Sequence, residues 1–174
     1  GVQTCALPIL IGPGEPIVRP VFSQDVQFEG ELAVVIGRIC RKVPAELASQ
    51  VIFGYTVAND ITARWWQKHG SGGQFVRGKS FDSFCPIGPW QSAKAVPDPQ
   101  ALRIVTTLNG DVVQDGATAD MIFSVRDIIA HLSQDTTLPA GTVLLTGTPS
   151  GVGAGKTPPR FLRGGDSVEV SIAG

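Results

Sequence analysis

Glu29 and Glu31 stand two residues apart at the head of an apolar run, Phe28-Glu29-Gly30-Glu31-Leu32-Ala33-Val34-Val35-Ile36-Gly37. In an extended strand residues i and i+2 point to one face, so the two carboxylates would lie side by side about 6.5–7 Å apart. Two like charges leading into a buried strand need a counter-charge. A divalent cation provides it economically, because hard ions take oxygen ligands and neutralise several carboxylates at once. Asp60, at the end of a second apolar run, supplies a third carboxylate. Three such groups on one spot, with positions left for water or substrate, make a site of Mg²⁺, Mn²⁺ or Ca²⁺ type. Each feature also has a plainer reading: an isolated Glu-x-Glu pair on a solvated strand end, and an Asn-Asp pair as a helix cap.

Cations and hydroxyls follow downstream. Lys79 lies within Arg77-Gly78-Lys79-Ser80-Phe81-Asp82-Ser83, whose glycine and aromatic neighbours would hold its ammonium inside and aim it at an enolate or carboxylate. A surface ion pair with Asp82 is the alternative. Arg64 and Gln67 sit shortly upstream. The loop Gly147-Thr148-Pro149-Ser150-Gly151-Val152-Gly153 lacks the Gly-Lys-Ser/Thr ending of a phosphate loop, so its amides and the Thr148 hydroxyl suit a carboxylate or oxyanion better than a nucleotide. Trp65 and Trp66 read as packing residues. His69 borders a glycine loop and His131 falls in a structural helix, so neither is assigned as a general base and no Ser-His-Asp or Cys-His set assembles.

The elements that must position these groups are short and numerous. Glu29–Gly37 reads as a strand buried on both faces, and 51–58 as a second one ending at Asn59-Asp60. Residues 44–48 form a short helix with proline in its first turn, and Ile61 to Lys68 wind into one or two helical turns capped by Asp60 or Thr62. Leu102–Leu108, Asn109-Gly110-Asp111 and Val112-Val113 make a hairpin, and Ser124 with Asp127 opens an amphipathic helix through Leu132. Residues 142–146 and 167–172 are further strands. With 21 glycines and 13 prolines in 174 residues, many strands joined by turns are favoured over a helical fold. The net charge of −1 argues against a nucleic-acid surface. No apolar run approaches the ~20 residues of a membrane helix and no signal pattern opens the sequence, so no membrane contact and a cytoplasmic location are expected. Cys5, Cys40 and Cys85 are odd in number and widely spaced, which points to reduced thiols.

Taken in order, Glu29–Gly37, Gly54–Arg64, Gly78–Asp82, Asp120–Ser124 and Gly147–Gly153 resemble the successive signature blocks of the fumarylacetoacetate hydrolase family. The resemblance implies a mainly β fold with a few short helices, a mixed β-sandwich or β-roll, assembled as a homodimer with Mg²⁺ or Mn²⁺. It carries metal ligation onto Glu29, Glu31 and Asp60, catalysis onto Lys79 and Thr148, and substrate contact onto Arg64, Gln67, Ser83 and Thr148. The implied activity is metal-dependent hydrolysis of a C–C bond in a 2,4-dioxo acid, of the acylpyruvate, fumarylpyruvate or fumarylacetoacetate kind, in aromatic catabolism. An oxaloacetate-type decarboxylase, a 2-hydroxydienoate isomerase or a silent metal-binding scaffold are the alternatives. Family hydrolysis uses a His-x-x-Glu base upstream of the first metal strand, and no such pair precedes Glu29 here. We therefore expect residues 1–16 to be an irregular lead-in whose first residues are foreign, and 17–174 to be one catalytic domain, incomplete at both ends. Trp65-Trp66 also departs from the family, where an acidic and an aliphatic residue are common.

Overall fold

Short strands punctuated by glycine and proline turns make up most of the computed structural model, which describes residues 8–174. Expectations for Cys5 and for foreign leading residues fall outside the described part. The strands are β1 (Leu10–Ile11), β2 (Val26–Gln27), β3 (Gly30–Ile36), β4 (Ile52–Asn59), β5 (Thr62–Ala63), β6 (Cys85–Pro86) and β7 (Gln91–Ser92). They continue with β8 (Arg103–Leu108), β9 (Asp111–Ala117), β10 (Val143–Leu145) and β11 (Val168–Ala173). Two short α-helices, α1 (Phe75–Gly78) and α2 (Val125–Leu132), join several short 3-10 segments and one π-helix. A four-stranded sheet runs β10-β3-β4-β7 and a three-stranded one β11-β8-β9, flanked by the pairs β1-β6 and β2-β5. The mainly β architecture expected from the sequence is the one observed.

The two larger sheets meet across one face of β3. Leu32, Val34 and Ile36 enter a core with Tyr55, Ile104, Val125, Ile129 and Leu144, while a second cluster gathers Val26, Phe28, Ile61, Phe81, Phe84 and Leu108. Each large side chain fully buried there contributes roughly 1.5–3 kcal/mol. Gly30 shares the face of Leu32, and a methyl group on it would run into the Thr106 hydroxyl and the Val170 side chain of the other sheet. The glycine between the two glutamates is thus required by sheet packing, and the glutamates are turned to the opposite face.

Local chemistry explains the elements that matched expectation. Asn109 and Gly110 take φ of 54° and 86°, the left-handed pair of a type I′ hairpin turn, between β8 and β9. Ser124 accepts from the Asp127 amide and Asp127 accepts from the Ser124 amide, closing the capping box that starts α2. One expectation is corrected in part. Residues 61–68 are not one capped helix: Thr62 and Ala63 pair with β2 instead, and the winding starts at Arg64 and runs on as a π-helix over Trp66–Gly70 with no side-chain cap. Within the lead-in, β1 pairs in parallel with β6. The short helix expected after Pro44 is present, as a 3-10 helix over Ala45–Val51. Among the described residues no helix is long and apolar enough to cross a membrane.

Candidate active site

Register brings the three carboxylates together. β3 and β4 pair with Gly30 opposite Asn59, so the next residue on each side, Glu29 and Asp60, lie across from one another. The Asp60 amide donates to Glu29 O at 2.8 Å, and the Glu29 amide donates to Asn59 Oδ1 at 2.9 Å. Glu31 lies on the same face two residues along. One oxygen from each of Glu29, Glu31 and Asp60 falls within 4.8 Å of the other two, and all three residues are buried.

Two cations enter the cluster. Lys79 Nζ donates to Glu29 Oε2 at 2.9 Å, to Thr62 Oγ1 at 3.0 Å and to Asp60 Oδ2. Arg64 donates to Glu29 Oε1 and to Gln67 Oε1, while its Nε is buried with no hydrogen-bond partner among the described residues. Lys79 therefore pairs with Glu29 and Asp60 rather than with Asp82. Among the described residues no salt bridge reaches Glu31, whose Oε2 accepts the Gly147 amide at 2.6 Å.

This arrangement shifts the protonation equilibria. Burial, helped by the Asp60 charge, pushes Glu31 up to about 8, against the pull of the Gly147 amide and Lys79. Burial also raises Asp60, with Lys79 opposing. Burial works against the charge on Lys79, but Asp60 and Glu29 together outweigh it, so its pKa lies above the ordinary lysine value and the ammonium persists at neutral pH. Cys85 is pushed up to about 11, chiefly by burial, and stays a thiol. A hard divalent cation fits the donor set: three carboxylate oxygens converge, and Glu31, which no cation pairs among the described residues, is the most deeply buried of the three.

The other expected residues are placed differently. Gln67 is buried in the π-helix, against Arg64, and π-turns often mark functional positions. The Thr148 hydroxyl donates to Gly30 O at 2.9 Å, so it supports the carboxylate strand from the loop. Likewise the Gly147 amide is already taken by Glu31, where the sequence suggested an external anion. The loop still borders open volume: a cavity of about 520 Å³ is lined by Gly147, Thr148, Met121, Ile122 and Phe123. Ser83 Oγ accepts the Val18 amide at 2.7 Å and donates to Asp82 O, which ties it to the lead-in rather than to the carboxylates. Trp66 packs among Phe22 and Phe81, and Arg77 lies 4.0 Å over the Phe81 ring, while Trp65 is exposed. Sequence reasoning missed Thr62, the Asn59 amide and Gln114; the one signal for Gln114 was a lone amide continuing the Val112-Val113 strand.

Sheets that present an all-oxygen carboxylate cage with an ammonium inside it define a β-rich domain with a candidate divalent-metal centre. Residues 8–174 match the family described as fumarylacetoacetate (FAA) hydrolase C-terminal, and the chain belongs to that family. It is 46% identical over 164 residues to human mitochondrial oxaloacetate tautomerase FAHD2A, covering 94% of this chain and 52% of the relative. It is 47% identical over 151 residues to oxaloacetate tautomerase YisK of Bacillus subtilis (strain 168), covering 86% and 50%. Its fold superposes on a solved fumarylacetoacetate hydrolase from Exiguobacterium antarcticum with a TM-score of 0.92 at 43% identity, over 96% of this chain and 60% of that one. The chain thus spans about half the length of the curated relatives it matches, and those relatives carry enzyme names.

Proposed function

We propose that this protein enolises a small 2-oxo dicarboxylic acid with the help of Mg²⁺ or Mn²⁺, and that keto–enol interconversion of oxaloacetate is its reaction. The observation that carries the reading is the convergence of Glu29, Glu31 and Asp60 around the Lys79 ammonium. A divalent cation held by the three carboxylates would supply Lewis acidity toward the 2-oxo and carboxylate oxygens of the substrate. Enolisation moves the C3 proton to water and develops negative charge on the 2-oxo oxygen, which takes a proton from water in turn; the Lys79 ammonium, on exchanging its Thr62 partner for that oxygen, would stabilise the charge. Arg64, whose guanidinium Gln67 and Glu29 hold in place, adds positive charge beside the carboxylates that would favour a substrate carboxylate. Near-half identity to two relatives named oxaloacetate tautomerase supports this substrate.

A second reading, C–C hydrolysis of a 2,4-dioxo acid, is favoured by the likeness to the solved fumarylacetoacetate hydrolase. Homodimeric assembly belongs to the same proposal, with exposed Phe75, Val76, Ile122 and Phe123 as apolar surface for it. So does a cytoplasmic location, supported by the free thiols of Cys40 and Cys85. The test follows the ultraviolet decay of oxaloacetate enol with Mn²⁺ and the full-length protein, beside cleavage of acylpyruvates. Enol decay that falls about 10²–10³-fold in Lys79→Met supports the tautomerase. Acylpyruvate cleavage without enol decay would transfer the assignment to the hydrolase.

A further inference from the structure

Behind the carboxylates lies a closed ring of hydrogen bonds centred on Gln114, a residue of β9 in the other sheet that is 2% exposed. Gln114 Oε1 accepts the Gly30 amide at 3.0 Å, and Nε2 donates to Thr148 Oγ1 at 2.8 Å and to Pro149 O at 3.0 Å. Thr148 Oγ1 in turn donates to Gly30 O at 2.9 Å, which returns the ring to the residue between Glu29 and Glu31. The orientation of the amide is dictated by its partners, since Gly30 N–H requires an acceptor and Pro149 O a donor. One residue before Thr148, the Gly147 amide holds Glu31 Oε2. A single side chain therefore links the strand that carries two carboxylates to the loop that orients one of them.

We propose that Gln114 is a positioning residue of the metal centre: by fastening the Gly147–Pro149 loop to Gly30, it fixes the Gly147 amide and through it the Glu31 carboxylate in its ligating direction. The inference rests on the reading of Glu29, Glu31 and Asp60 as metal ligands. Gln114 touches none of the three, and it acts through backbone and loop. Partners that orient metal ligands in this way typically change metal affinity about 10- to 100-fold when removed.

The experiment is a double-mutant cycle read by calorimetric titration with Mn²⁺ on the full-length protein, with metal-free circular dichroism melts as the folding control. Glu31→Gln, Gln114→Met and the double variant are compared with the parent. Expected is a loss in Mn²⁺ affinity of about 10- to 100-fold in Gln114→Met, and no further loss when the same change is made on Glu31→Gln. Losses that simply multiply in the double variant would overturn the proposal, since a general loosening of the sheets acts whether or not Glu31 is a carboxylate. Unchanged affinity in Gln114→Met overturns it too. If Gln114→Met does not fold, Gln114→Glu takes its place: it keeps the acceptor for Gly30 and loses the donor to Thr148 and Pro149, and the same two outcomes decide. Undiminished Mn²⁺ binding in Glu31→Gln would instead overturn the metal assignment itself, which separates the two failures.

Discussion

Glu31 carries the sharpest consequence of burial. Its carboxyl ionises near 4.5 in an unfolded chain and near 8 in the folded one, so between those values the folded state holds a proton that the unfolded state has released. Its contribution to stability is therefore complete below about 4.5 and is lost as pH rises through about 8. The urea midpoint of the metal-free protein is expected to fall across that window, and Glu31→Gln should flatten the slope. The same proton competes with a cation. Mn²⁺ binding a unit or more below pH 8 should release close to one proton, seen as a binding enthalpy that varies with the ionisation enthalpy of the buffer. An enthalpy indifferent to buffer would mean that Glu31 is already ionised before the ion binds or that it is not a ligand, and Glu31→Gln, read for Mn²⁺ affinity, separates the two. The triad was legible in the sequence because strand alternation and strand ends fix where carboxylates point. Thr62 and Gln114 were not, because each acts on a group brought near only by pairing between strands distant in the chain.

Gly30 shows how an element constrains the chemistry it carries. Gly30→Ala would press a methyl group into Thr106 and Val170, and the sheets must part or β3 must shift. The expected outcome is a stability loss of about 1–3 kcal/mol in denaturant titration, with weaker Mn²⁺ binding at saturating stability. Retained stability and affinity would show that the sheets have slack at this point. The hairpin at Asn109-Gly110 and the helix at Ser124 could be read from the sequence because their signals are local. The segment after Asp60 could not: its apolar and polar spacing suits a helix, yet Thr62 and Ala63 satisfy their backbone by pairing with Val26 and Gln27, so tertiary pairing overrode local pattern. Sheet order was equally hidden, since β10 reaches β3 from more than a hundred residues away.

For the molecule as a whole, a ligand that binds only the folded state adds stability according to its excess over Kd, about 2.7 kcal/mol at a hundredfold excess. Saturating Mn²⁺ should thus raise the melting temperature, and the rise should shrink sharply in Glu31→Gln; an equal rise in both would place the ion elsewhere. The cage rests on β3 and β4, whose pairing is fixed by backbone bonds, whereas Arg64, Gln67 and Lys79 come from the brief turns of helix between β5 and β6. Descent can therefore rework the helical turns while the sheet keeps its oxygens in place. One inherited scaffold for charge can in this way pass through lineages whose members bear the names of different reactions.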